Sequence, residues 1–131
     1  MARRMTHAGL LLVIATLAFT APAPAVTPAE FGLRSGADVV ALCATPARDP
    51  LYTAAVHMCH GFGAGTYQTI MAMTRHEKLK AIICPPDPSP SRNETVRRFL
   101  QWANDNPRYL AEPAVEVFAR FFITQFPCGS K

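Results

Sequence analysis

Beyond Ala25 the chain has no apolar run long enough to cross a bilayer, which takes roughly 20 residues. It also has no strand-like alternation of any length, so a sheet-based domain finds no support. Charge is sparse at 17% of residues, and 13 basic against 9 acidic side chains give a net +4. Arg3 and Arg4 stand in the N-terminal segment; without them 11 basic residues face 9 acidic ones, too small an excess for nucleic-acid binding. The signatures of common enzymes are missing too. There is no H-E-x-x-H pair, no G-x-S-x-G elbow and no G-K-[ST] ending to the glycine-rich stretch Gly61–Gly65. No two cysteines stand in the close C-x₂₋₄-C spacing of structural zinc sites.

What is present begins with an export signal. Arg3 and Arg4 open it, an apolar run from Leu10 to Ala21 follows, and Ala23-Pro24-Ala25 places small residues around a cleavage point. The run is short for a membrane anchor and Pro22 and Pro24 end it, so residues 1–25 read as a signal peptide removed after Ala25. The exported remainder, 26–131, reads as one domain without a membrane segment. Its four cysteines, Cys43, Cys59, Cys84 and Cys128, then read as a disulfide framework, since an oxidising compartment favours bridges over thiolate chemistry.

The rest of the pattern is helical. Val26–Ser35 reads as a loose lead-in. Val39, Val40, Leu42 and Cys43 mark a short helix over 37–44, and Pro46 and Pro50 break it. The longest helix runs from Leu51 to about Met73, with Tyr52, Ala55, Val56, Cys59, Phe62, Thr66, Ile70 and Met73 as its inward stripe. Gly61, Gly63 and Gly65 weaken that helix by roughly 1 kcal/mol each, which anticipates close approach of another backbone. Arg75–Lys80 frays into solvent, and Pro85, Pro86, Pro88 and Pro90 make a stiff connector. Ser91 and Glu94 form an S-x-x-E capping box ahead of a third helix that buries Val96, Phe99, Leu100 and Ala103. Asn104-Asp105-Asn106-Pro107 turns the chain. A fourth helix starts near Pro113 and carries Ala114, Val117, Phe118, Phe121, Phe122 and Gln125 on one side. The fold class is all-α, a small bundle of about four helices stapled by two disulfides.

Antiparallel hairpins choose among the three ways of pairing four cysteines. The first hairpin brings Cys43 beside Cys59. In the second, Cys84 precedes the third helix and Cys128 follows the fourth, so they meet at one end. The expected bridges are Cys43–Cys59 and Cys84–Cys128, contributing roughly 3 and 4 kcal/mol by loop entropy.

Catalytic candidates are thin. His57 and His60 share a helix face, but a third metal ligand is missing, and solvated or packed histidines fit better. Carboxylates are scattered: Glu94 is assigned to the cap, Asp105 to the turn, Glu112 and Glu116 to a helix start. The chain reads as a non-enzyme without cofactor, metal or catalytic residue. Arg92, Arg97, Arg98 and Arg108 gather around the third helix.

Cys59-His60-Gly61-Phe62-Gly63-Ala64-Gly65 is similar to a C-x-G-[YF]-x-x-G helix motif. It is followed by Cys84-Pro85-Pro86, Phe99-Leu100, Pro107, Pro113-Ala114 and Phe126-Pro127-Cys128. In this order the set resembles the Tai-type, or resistance-associated, immunity proteins of type VI secretion. One departure is Gly63, which stands where a larger apolar residue is expected after the aromatic. The resemblance implies a small periplasmic helical protein of a Gram-negative bacterium, commonly a homodimer. It also implies a peptidoglycan amidase effector as partner, blocked by occlusion of its active site. The partner-binding surface is expected on the segments around the connector: Arg75, Lys78, Lys80, Asp87, Asn104, Asp105, Arg108 and Tyr109. Replacing Arg108 or Tyr109 is expected to weaken binding and spare thermal stability. The competing readings are a periplasmic stress chaperone that exposes apolar surface in acid and a structural component of the envelope.

Overall fold

A computed structural model describes residues 25–77 and 79–129. The export signal, apart from Ala25, and Lys78 lie outside the described residues. Among the described residues there are four α-helices: α1 (Gly36–Cys43), α2 (Tyr52–His76), α3 (Arg92–Asp105) and α4 (Ala114–Gln125). Short 3-10 turns lie at Glu30–Gly32 and Pro107–Tyr109, and no strand occurs among the described residues. No helix among these residues is long and apolar enough to cross a membrane. The all-α reading holds, and both bridges join the expected partners, Cys43 to Cys59 and Cys84 to Cys128.

The core is built on α4. Ala114, Val117, Phe118, Phe121 and Phe122 recur at spacings of three and four and are all buried. Phe99 of α3 stacks on Phe118 with centroids 4.1 Å apart and meets Phe121 edge-on at 5.4 Å. Such aromatic pairs add about 0.5–1.5 kcal/mol each beyond the area they bury. From α2, Phe62 lies 5.8 Å from Phe118 and Tyr67 lies 5.6 Å from Phe122. The paired numbers rise together, so α2 and α4 run in the same direction. Trp102, absent from the expected face of α3, is buried at 7% exposure. Val96 and Leu100, expected inside, are half-buried.

The ends of the α2 stripe depart from expectation: Tyr52 is 37% and Met73 60% exposed. Its glycines differ as well. A Cβ on Gly61 or Gly65 would meet nothing within 4 Å, whereas one on Gly63 would stand 3.2 Å from the Phe118 ring. Gly63 therefore packs against an aromatic side chain, and the backbone approach anticipated there occurs at Gly36 instead. A Cβ on Gly36 would lie 3.1 Å from the Leu110 Cα and 2.7 Å from Val117 Cγ2.

The segment 26–35 is also more ordered than its composition implies. Val26 is 8% exposed and joins Leu42 and Ala55 in a second apolar cluster, with Phe31, Leu33 and Leu51 packed around it. Thr27 donates its N–H and hydroxyl to Glu30 at 2.7 and 2.6 Å, which holds that carboxyl below the usual glutamate range. The expected loose lead-in thus contains a 3-10 turn and an apolar anchor that its composition did not indicate.

Only half of the capping box forms at α3. Ser91 Oγ accepts the Glu94 N–H at 3.2 Å, but the Glu94 carboxylate turns outward to Arg97 and Arg98, each at 2.7 Å. Bonds from Arg97 and then Arg98 lower its pKa. Two guanidinium groups one turn ahead outcompete a single backbone amide for the same charge.

Candidate functional site

Two surfaces could receive a partner. One is the corner between α3 and α4. The Asn106 side chain donates to the Trp102 carbonyl at 2.8 Å and closes the end of α3. Pro107 then starts the 3-10 turn that carries Arg108 and Tyr109. The Tyr109 ring lies almost parallel to Trp102, 5.8 Å away. The guanidinium carbons of Arg108 and Arg120 stand 4.7 and 4.4 Å from its centroid. Arg108 also donates to the Tyr109 hydroxyl at 3.0 Å, and Arg120 pairs with Glu112 at 3.0 Å. The first amides of α1 have no partner within their own helix and bond to this corner. Gly36 N–H donates to the Glu112 carbonyl and Ala37 N–H to that of Leu110, both at 2.8 Å. The corner is thus clamped from two sides, with Asn104, Asp105 and Arg108 exposed on it.

The other surface is a cleft of about 260 Å³ between α2, the proline connector, α3 and α4. Gly63, Phe118 and Phe122 line it on the core side, and His60, Gln68, Arg92 and Thr95 bring polar groups to it. Gly63, the departure noted in the motif, lies directly against the Phe118 ring, which stays buried at 1% exposure beneath the cleft. An apolar floor with a polar margin suits an apolar side chain from another protein, oriented by hydrogen bonds at its edge. Cys59, which also lines the cleft, is bonded to Cys43 and offers no thiolate. Among the described residues no three of His, Cys, Asp or Glu gather as a metal site requires.

The expected partner-binding residues divide between locations. Asn104, Asp105, Arg108 and Tyr109 come together at the corner. Arg75 belongs to the last turn of α2, with Lys80 a few residues beyond it and Asp87 exposed on the connector. The corner precedes the start of α4, whereas Arg75 lies past Tyr67, which meets the far part of that helix. Because α2 and α4 point the same way, these two groups lie toward opposite ends of the bundle. Tyr109 is half-buried and stacked on Trp102, so its replacement is now expected to lower stability as well as binding. Arg108 remains an exposed residue. The cleft went unread because its walls come from four separate segments, and only the irregular Gly63 hinted at it.

The described residues thus form a small helical domain stapled by two disulfides, with a clamped polar corner and an apolar cleft. The model of the Rap1a immunity proteins matches residues 35–128, from the cap of α1 to the last cysteine, and the chain belongs to this family. It is therefore an immunity protein directed against a secreted toxin. No curated protein and no solved structure matches the chain.

Proposed function

We propose that the protein acts in the periplasm, where it neutralises a peptidoglycan amidase toxin by covering the toxin's active site. The family match over residues 35–128 carries this reading. The two disulfides agree with an oxidising compartment, which the leader at residues 1–25 would reach. Inhibition is then steric and electrostatic. A corner held by α1, Trp102 and Arg120 needs little ordering when it docks, so more of its contact energy appears as affinity.

The test is a titration of the exported protein into a peptidoglycan digestion by purified type VI amidase effectors, with released muropeptides as the readout. Complete inhibition at one equivalent is the expected result. Undiminished digestion with excess protein would remove the amidase from the reading and leave the family assignment intact.

A further inference from the structure

Asp49 lies between α1 and α2 and is 9% exposed. Its Oδ1 accepts the Leu51 N–H at 2.8 Å, and its Oδ2 accepts the Val26 N–H at 3.3 Å. The ion pairs among the described residues join Arg34 to Asp38, Arg97 and Arg98 to Glu94, and Arg120 to Glu112. None includes Asp49. A carboxylate buried this far ordinarily has a cation beside it, because two neutral amides offset only part of its lost hydration.

The one backbone nitrogen that reaches Asp49 from outside its own loop is that of Val26. It is held there by packing: the Val26 side chain sits in the apolar cluster with Leu42 and Ala55. Ala25, just before it, is exposed. The Ala25–Val26 bond is also where the small residues Ala23-Pro24-Ala25 place the cleavage point.

We propose that cleavage at Ala25–Val26 creates the missing cation, so that the new α-ammonium of Val26 forms a buried ion pair with Asp49. Water adds across the peptide bond. Ala25 departs as a carboxylate, and Val26 keeps the amine, which takes up a proton at neutral pH. Its nitrogen already stands 3.3 Å from Asp49 Oδ2, so the pair forms without movement of the chain. Removal of the leader thereby adds an ion pair beside the second apolar cluster, and a cut at a neighbouring bond would not. A start one residue earlier keeps a neutral amide against Asp49; a start one residue later removes the anchor. This inference goes beyond the immunity reading and rests on residues 1–25 being a leader removed at that bond.

The first measurement is the intact mass of the protein purified from the periplasm of a Gram-negative host. A chain starting at Val26 is expected, and any other start overturns the proposal. The second is a double-mutant cycle in urea on four exported proteins. These are the unaltered chain, Asp49→Asn, a chain with two residues inserted after Ala25, and the combination. Asparagine keeps the acceptor for Leu51, and the insertion turns the ammonium into an amide. Asp49→Asn is expected to lower the folding equilibrium constant about tenfold to a hundredfold more in the Val26-terminated chain than in the extended one. Equal losses would leave Asp49 as a loop cap only and overturn the pair. Should an Asn variant fail to fold, acylation of the α-amine decides. In the unaltered chain it is expected to run at least about tenfold slower than in the extended chain, and equal rates refute the pairing.

Discussion

Three glycines two residues apart on α2 meet different surroundings, and their substitution should separate helix propensity from packing. Gly61 and Gly65 face open space, so Gly61→Ala and Gly65→Ala are each expected to raise stability by about 1 kcal/mol. At Gly63 the same gain meets two atoms of the Phe118 ring at 3.2 Å. That ring cannot easily retreat, because it is stacked 4.1 Å from Phe99 and 5.7 Å from Phe122. Overpacking of this kind costs about 1–3 kcal/mol, so Gly63→Ala is expected to be destabilising on balance. Urea midpoints of the three variants give the comparison, and a stabilising Gly63→Ala would show that the ring yields. The sequence showed the weakness of this helix but not its cause. Spacing alone could not tell which glycine faces the core, since the stripe through Cys59 and Thr66 passes between Phe62 and Gly63.

At the level of elements, the legible parts were those governed by one helix's own period. The α4 stripe from Ala114 to Phe122 and both cysteine pairs followed from periodicity and hairpin geometry. What escaped depends on distant partners. Trp102 is buried because Tyr109 and Phe121 cover it, and Val26 because Leu42 and Ala55 lie beneath it. The Glu94 carboxylate left its cap for arginines the cap rule does not consider. The two bridges differ in the same contextual way. Cys59 is 1% exposed, whereas Cys84 is exposed at the far end of the bundle. A limiting amount of reductant is expected to open Cys84–Cys128 first. That bridge spans 44 residues against 16 for Cys43–Cys59, so opening it removes roughly 4 kcal/mol, against roughly 3 for the other. Alkylation followed by peptide mass mapping reads the order, and early labelling of Cys43 and Cys59 would contradict it.

For the whole molecule, the question is which end meets the toxin. The corner and the free end of α2 point in opposite directions, so a single globular partner does not easily cover both. The proposed occlusion of an active site calls for an element that keeps its shape, and the corner is held by its bonds to α1 and its stacked Trp102 and Tyr109. Arg108 and Arg120 are the exposed cations on it; Arg120 is paired with Glu112, and removing the contact of Arg108 with the Tyr109 ring costs at most about 1 kcal/mol of stability. Truncation of a central interface arginine costs about 2 kcal/mol or more of binding, or some thirtyfold in affinity. Arg108→Ala is therefore expected to weaken toxin inhibition by at least that factor with little change in the melting temperature. Tyr109→Ala is expected to lower both, since it unpacks Trp102. Ala64→Trp, which fills the cleft from α2, serves as the contrast. If Ala64→Trp abolishes inhibition while Arg108→Ala leaves it intact, the toxin inserts an apolar side chain between α2 and the proline connector. The corner would then serve only to hold the bundle together.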